Sequence, residues 1–216
     1  MSEPVKRRPY NSSRRRAAAA ETRRAIVDAA ARLFAERGYG ATTMAAVAEA
    51  AGVALDTVYA SAGPKPVLFR LLIERAISGE DEPVPALERD YVRQVQAEPD
   101  PARKLERYAA AVRRVQERLA PLFLVLREAA PADPELAALW REISQRRARN
   151  MRLLAAELAA TGALRPGVSI EEAADVIWSM NASEFFVLLV QERGWEPERF
   201  ERWLAETWRR LLLGEG

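Results

Sequence analysis

The sequence of 216 residues contains neither cysteine nor histidine. Without cysteine the chain has no disulfide, no thiolate nucleophile and no cysteine ligand for zinc. Without histidine it lacks the most common general base of enzymes. No glycine-rich phosphate loop or nucleotide fingerprint is found either. These absences argue against an enzyme and against any cofactor or metal, and a site built only from aspartate and glutamate is the remaining enzymatic alternative.

The sequence also lacks a long apolar run. Hydrophobic residues make up 49% of the chain, but no stretch approaches the roughly 18 residues that a membrane-spanning helix requires. The basic residues Lys6, Arg7 and Arg8 are followed by polar residues, not by the apolar segment of a secretion signal. We therefore expect a globular protein that stays in the cytoplasm.

Positive charge is concentrated at the N-terminus, although the net charge of the chain is only +2. Residues 1–24 hold eight lysines and arginines against two glutamates. This pattern predicts a flexible basic arm over residues 1–20, in which Arg14, Arg15 and Arg16 are candidate contacts to nucleic acid. A solubilising tail is the alternative interpretation.

Apolar residues recur with helical spacing along almost the whole chain. The first series is Ile26, Ala29, Ala30, Leu33 and Phe34, and Gly38 and Gly40 are expected to end that helix. Pairs of prolines then delimit predicted helices at about 86–97, 102–119, 121–130 and 134–160. The sequence therefore predicts an all-α protein, although the apolar run Leu122–Leu126 by itself is also compatible with a buried strand.

A later helix, predicted over about 169–193, is apolar on every side in its second half. Ser169 and Glu172 have the spacing of a capping box at its start. The run Phe185–Val190 must be covered within one chain or lend a face to a partner subunit. We expect two chains to pair through this helix and the helix of 134–160. The expected interface residues are Met151, Leu158, Phe186 and Leu189. The alternative is burial inside a monomer by the helix that carries Phe200, Trp203 and Trp208.

Three positions have the spacing of a helix-turn-helix motif. Ala48 is small enough for a helix crossing, Gly52 suits the turn, and Val58 can anchor the second helix. A structural helical hairpin would show the same spacing.

The wider context resembles the DNA-binding domain of the TetR family. The residues that carry the resemblance are Thr22, Arg23, Ile26, Ala29, Ala30, Phe34, Arg37, Gly38, Tyr39, Thr42, Thr43, Met44, Val47, Ala48, Ala51, Gly52, Val53, Thr57, Val58, Tyr59, Lys65 and Leu68. The resemblance implies a three-helix, homeodomain-like helix-turn-helix domain over residues 21–66. It also implies a larger helical domain over 67–216 for ligand binding and dimerisation.

By this resemblance the protein is a transcriptional repressor that binds a palindromic operator in double-stranded DNA as a homodimer and is released by a small molecule. The helix from about Leu55 to Ser61 would enter the major groove. Thr43 and Lys65 would contact phosphates, and Thr57 and Tyr59 would contact the backbone or base edges. For Thr43 the alternative role is a helix cap, and for Tyr59 it is a packing ring.

Three residues depart from the family pattern. Ala54 replaces the usual capping Ser or Thr, Leu55 replaces a polar residue, and Ala62 replaces an aromatic anchor. Leu55 could contact a thymine methyl group and Asp56 a cytosine amino group. A helical protein-interaction module with decayed DNA binding is therefore the alternative function.

The effector expected from the resemblance is apolar or aromatic, since the chain has no histidine and only three lysines to hold an anion. This expectation would change if Arg113 or Arg147 pointed inward. The aromatic residues on helices that could line a cavity are Tyr91, Tyr108, Phe123, Trp140 and Trp178. Core packing is the alternative role for each.

Overall fold

The helical pattern of the sequence is realised throughout the first part of the chain. The computed structural model describes residues 12–80 and 84–214. The chain divides into two compact units, Met1–Leu68 and Phe69–Gly216. The first unit contains α1 (Ser12–Ala41), α2 (Met44–Ala51), α3 (Leu55–Ala62) and the start of α4 (Lys65–Ser78). Its core is the predicted apolar face of α1 packed on α2 and α3, with Ile26, Phe34, Val47 and Val58 fully buried.

Two glycines shape the turns of this unit. The backbone of Gly38 (φ 76°, ψ 174°) is not helical, so the long helical stretch of α1 ends there, as the sequence pattern predicted. A short helical segment follows this kink and continues to Ala41. The buried Thr42 hydroxyl lies 2.8 Å from the carbonyl oxygen of Gly38 and 3.1 Å from that of Leu33, which holds the kink in place. Gly52 adopts φ 68° and closes α2 in the left-handed conformation, so the turn between α2 and α3 requires it.

Residues 12–20 belong to α1, so the prediction of a flexible arm is wrong for this part of residues 1–20. The four alanines from Ala17 to Ala20 have the highest helix propensity of any residue and continue the helix towards the N-terminus. Arg14, Arg15 and Arg16 are therefore exposed positions on the first turns of a helix. Residues 1–11 of the predicted arm lie outside the described residues.

The second unit is also helical where the structure describes it, so the all-α class is confirmed. After α4 come a 3-10 turn (Ala86–Glu88), α5 (Asp90–Ala97), α6 (Pro101–Ala129), α7 (Pro134–Ala160), α8 (Ile170–Met180), α9 (Ser183–Phe186), a π-helical segment (Val187–Glu192) and α10 (Pro197–Leu212). These helices share a core in which Leu105, Leu158, Ile177, Leu204 and Trp208 are fully buried.

Pro121 does not separate two helices, and the predicted boundary between 102–119 and 121–130 is wrong. α6 runs through it as one helix of 29 residues. Proline removes one backbone donor from the helix interior, but buried apolar residues continue on both sides, from Leu119 and Ala120 to Leu122 and Phe123. The packing of this continuous face outweighs the missing hydrogen bond.

The single helix predicted over 169–193 begins where the sequence predicted, but it is interrupted and does not continue as one helix. The Ser169 hydroxyl accepts a hydrogen bond from the Glu172 N–H at 3.1 Å, as the capping pattern indicates. α8 ends at Met180, however, and the chain bends by 46° before α9. The apolar run then continues as α9 and the π-helical segment, with Phe186 buried and Leu188 half exposed. Asn181 interrupts the helix because its polar groups are bonded to α6, as described below.

No single helix within residues 12–80 and 84–214 is long and apolar enough to cross a membrane. The bent pair Ile170–Met180 and Ser183–Glu192 meets the length and composition criteria when its members are taken together.

The kink at Gly38 yields a stability prediction. Gly38→Ala should lower the free energy of unfolding by about 1–3 kcal/mol, because the backbone conformation there strains any residue with a Cβ. A Cβ at this position would meet no atom within 4 Å, so the loss would arise from the backbone alone. Gly40→Ala is the control, since Gly40 has no positive φ and equally open surroundings. Urea denaturation measures both, and equal stabilities of the two variants would contradict the prediction.

Candidate DNA-binding surface and ligand cavity

α3 buries one side and exposes the other. Val58 and Ala62 pack into the core of the first unit, whereas Leu55 and Tyr59, one turn apart, are 40% and 47% exposed. Asp56 is also exposed, in the first turn of the helix. The exposed side therefore combines an aliphatic chain, a carboxylate and a phenol ring. Tyr59 is not a core ring, which removes the alternative role considered for it.

The C-terminal end of α3 is fixed by a residue that the sequence did not identify for this role. The Arg23 Nη1 group of α1 donates a hydrogen bond to the carbonyl oxygen of Ser61 at 2.6 Å. This bond satisfies a carbonyl in the last turn of α3 and ties the helix to α1. It supplies the anchoring that the small Ala62 cannot provide. No local pattern could reveal it, because 38 residues separate the two partners.

The remaining candidate contact residues of this unit lie at helix starts or are half-buried. The Thr43 hydroxyl caps α2 by accepting a hydrogen bond from the Ala46 N–H at 3.1 Å. Its own proton stays available to a phosphate oxygen, so the two roles considered for Thr43 are compatible. The Lys65 Nζ atom lies 4.3 Å from the centre of the Tyr39 ring. Thr57 and Ser61 are half-buried on α3.

The second unit contains a cavity of about 150 Å³ bordered by the 3-10 turn, by α4, α5, α6, α7 and α9, and by Asn181. Tyr91, Tyr108 and Phe123 line it. Trp140 and Trp178 do not, and the prediction is wrong for these two. The Trp140 ring stacks on Phe123 at 4.8 Å. The Trp178 Nε1 group donates to the Ser144 carbonyl oxygen at 3.4 Å. Both indoles therefore belong to the packing around the cavity.

One wall of the cavity is polar, and its side chains come from α6, from α9 and from the bend after α8. Gln116 of α6 donates from Nε2 to the Asn181 carbonyl oxygen at 2.8 Å. Its Oε1 atom accepts a hydrogen bond from the Ser183 hydroxyl at 2.7 Å. The Asn181 Nδ2 group donates to the Tyr108 hydroxyl at 2.8 Å. These bonds fix the bend between α8 and α9 against α6.

Arg147 of α7 also lines this cavity, whereas Arg113 does not. Arg113 forms ion pairs with Glu201 at 2.7 Å and with Glu117 at 2.9 Å. The Arg147 guanidinium lies 4.7 Å from the centre of the Trp178 ring. Burial lowers the pKa of Arg147 and raises that of Tyr108. Arg147 therefore meets the condition under which the sequence no longer favours an apolar or aromatic ligand over an anion.

Ion pairs join the helices around the cavity. The Glu74 carboxylate of α4 lies 2.7 Å from Arg146 of α7 and 3.5 Å from the buried Arg89. Lys104 of α6 is also buried and pairs with Glu157 of α7 at 2.9 Å. The partners of these pairs are far apart in the sequence, so no local pattern could predict them. In residues 12–80 and 84–214, no three acidic side chains converge in an arrangement that would hold a metal ion.

The comparisons with known proteins agree with this architecture. Residues 26–72 match the model of a family described as bacterial regulatory proteins, tetR family. The structure resembles that of NalD, the secondary repressor of the MexAB-OprM multidrug efflux pump in Pseudomonas aeruginosa. The identity is 25%, the TM-score is 0.68, and the match covers 90% of this chain and 98% of NalD. Residues 26–72 therefore form a DNA-binding domain of this family, and the chain shares the fold of NalD.

Two other solved structures share this fold at lower identity. One is a complex of SmeT with triclosan, at 16% identity and a TM-score of 0.70, with 90% of this chain and 93% of SmeT covered. The other is a protein from Saccharomonospora viridis in complex with choline, at 17% identity and a TM-score of 0.69, with 90% and 99% covered. Among curated proteins, none is significantly similar in sequence to this chain.

The expected dimer-interface residues need correction. Met151, Leu158 and Phe186 are 5%, 0% and 3% exposed and belong to the core of the second unit. A side chain already buried in one chain adds almost nothing to a contact with another. Leu189 is half-buried. The large apolar side chains that α7 and the π-helical segment expose are Leu153 and Leu188, each 50% exposed.

The polar wall of the cavity gives a second stability prediction. Ser183→Ala should lower the free energy of unfolding by about 1–3 kcal/mol, because the buried Gln116 Oε1 atom would lose its donor. Ser179→Ala is the control, since that hydroxyl is exposed and bonds only to its own helix, at the Val176 carbonyl oxygen. The control should stay within about 0.5 kcal/mol of the wild type in urea denaturation. A Ser183→Ala variant as stable as the control would contradict the role of this bond.

Proposed function

We propose that this DNA-binding regulator is a repressor, that it binds a palindromic operator as a homodimer, and that a small apolar or aromatic molecule in the cavity releases it. The observation that carries the DNA-binding part is the exposed side of α3 in a TetR-type helix-turn-helix. An exposed second helix of such a motif is the element that enters the major groove.

On the DNA, Leu55 would contact a thymine methyl group and Asp56 a cytosine amino group. Tyr59 and Thr57 would contact the DNA backbone or the edges of neighbouring bases. Ser61 would lie at the C-terminal end of the DNA-contacting side of α3. This set offers few hydrogen bonds to bases, so phosphate contacts would supply much of the affinity. The residues proposed for those contacts are Thr43, Lys65, Arg14, Arg15 and Arg16.

The proposed effector site is the cavity of the second unit. Its lining is mainly apolar, including Val92, Val112, Leu119, Phe123 and Leu154. Complexes of similarly folded proteins with triclosan and with choline support small-molecule binding by this fold. In this chain, Arg146 both lines the cavity and pairs with Glu74 of α4. A ligand that drew Arg146 away from Glu74 would remove one ion pair between α7 and α4, the helix that also carries Lys65, and this change is the proposed link between ligand binding and the DNA contacts.

For the homodimer, the proposed contact is a four-helix arrangement through α7 and the segment from α8 to Glu192. Leu153 and Leu188 lie on these elements and keep half of their surface exposed in one chain. A two-fold pairing would bury the same patch on both subunits.

DNA binding is tested by the salt dependence of affinity for duplex DNA. Replacing Arg14, Arg15 and Arg16 with alanine should weaken binding and reduce the slope of log K against log salt, by about 0.9 for each phosphate that is no longer neutralised. The control replaces three exposed arginines of the second unit, Arg93, Arg103 and Arg202, and therefore removes the same charge. An unchanged slope would show that the N-terminal arginines do not contact DNA. No binding of the wild type to any duplex would favour the interaction module instead.

The dimer is tested by placing a charge on the exposed patch. Leu188→Glu should convert the dimer to monomers at micromolar concentration, because a carboxylate would be buried in an apolar contact. Leu87→Glu is the control, since Leu87 is exposed to a similar extent, 54%, on a different element. Sedimentation of the three proteins gives the answer. A monomeric wild type would contradict the dimer and, with it, the palindromic operator.

A further inference from the structure

Two hydrogen-bonding atoms in the cavity wall have no partner among the described residues. They are the Asn181 Oδ1 atom and the Arg147 Nε atom. Asn181 is only 4% exposed, and both residues line the cavity. Burying such atoms without a partner is unfavourable, and an unpaired buried group in a native structure often marks a place where a ligand binds.

The two atoms belong to one cluster. Arg147 lies one turn before Met151 on the same face of α7. The Met151 Sδ atom is 3.0 Å from Asn181 Nδ2 and 3.1 Å from the Tyr108 hydroxyl oxygen. The charge of Arg147 also acts on the pKa of Tyr108. A free acceptor and a free donor therefore belong to one group of neighbouring residues that line the cavity.

The orientation of Asn181 is fixed by its neighbours. Its backbone carbonyl oxygen is held by Gln116, and its Nδ2 group donates to Tyr108, whose hydroxyl proton is then directed at Met151. If the two amide atoms were exchanged, the NH₂ group would lie where Oδ1 now lies and would lose the hydrogen bond that it donates to Tyr108. Exchange would also place the amide oxygen against the Met151 Sδ atom, acceptor against acceptor, so the neighbours support the orientation that leaves Oδ1 free.

We propose that the effector, given the ligand-released function proposed above, is an uncharged single-ring phenol. Its hydroxyl group would donate to Asn181 Oδ1 and accept from Arg147 Nε, while the ring contacts the apolar lining that includes Val112 and Phe123. A hydroxyl group is the smallest group that satisfies both atoms at once. The volume of about 150 Å³ suits one aromatic ring.

Charged ligands fit this pair of atoms less well. A carboxylate could pair with the Arg147 guanidinium, but it would also place an acceptor oxygen against Asn181 Oδ1, which is itself an acceptor. A quaternary ammonium ion would lie beside the guanidinium of Arg147 and offers no acceptor for its Nε–H. The chemistry of the wall therefore selects a neutral donor–acceptor group.

The test is calorimetric titration of the wild-type full chain with four probes: phenol, anisole, benzoate and benzyltrimethylammonium. Phenol should bind, and anisole, which cannot donate, should bind roughly tenfold more weakly, the change expected for one buried hydrogen bond. Benzoate and the ammonium ion should also bind more weakly than phenol. Equal affinities for phenol and anisole, tighter binding of either ion, or no binding of phenol would overturn the proposal.

A variant tests the donor separately. Arg147→Met keeps much of the side-chain volume but removes the Nε–H, so the affinity for phenol should fall roughly tenfold. Arg149→Met is the control, because Arg149 is exposed on the same helix. Circular dichroism establishes that both variants are folded, and the wild-type probe series decides the question if Arg147→Met is not. A folded Arg147→Met variant with unchanged affinity for phenol would overturn the assignment.

These titrations contain no DNA, so they test the ligand site independently of the proposed regulatory function. DNA binding by a protein that does not bind phenol would overturn the ligand class and leave the DNA-binding function standing. Phenol binding by a protein that retains its duplex at saturating phenol would support the site and overturn release by this ligand.

Discussion

Where α8 ends, the backbone carbonyl group of Asn181 lies inside the protein without the helical partner that the next turn would provide. Gln116 of α6 donates to it at 2.8 Å, and Gln116 is held in turn by the Ser183 hydroxyl. This exchange of a helical bond for a side-chain bond allows the chain to bend by 46°. The polar wall of the cavity depends on it, since a straight helix would not require Gln116 and Ser183 to be bonded inside the core. The unpaired Asn181 Oδ1 atom belongs to the same arrangement.

Local patterns in the sequence predicted much of the first unit and the starts of several helices. The apolar series from Ile26 to Phe34 forms the buried face of α1, and Gly52 forms the turn that the motif requires. Ser169 caps its helix as expected. Each of these features is decided by residues a few positions apart, so the sequence alone is sufficient. Tyr91, Tyr108 and Phe123 line the cavity, and their contact with a ligand stays a prediction.

Features decided by distant partners were not predictable in the same way. Pro121 suggested a helix boundary, but packing along both halves of α6 maintains one helix. Periodicity also cannot separate a side chain that is buried in its own chain from one that a second chain would cover. Met151, Leu158 and Phe186 were therefore assigned to an interface although they lie in the core. The Arg23 bond to Ser61 and the contact of Arg146 with Glu74 join residues 38 and 72 positions apart, beyond the reach of any local motif.

The composition of the cavity wall also bears on how ligand binding would respond to acidity. The chain has no histidine and no cysteine, the side chains whose ordinary pKa values lie closest to neutrality. Burial moves the pKa of Tyr108 upward and therefore further from neutral pH. Arg147 stays protonated, because a guanidinium retains its proton even when burial lowers its pKa. The wall would thus keep one charge state across the neutral range, and a change in affinity there would report the ionisation of the ligand itself.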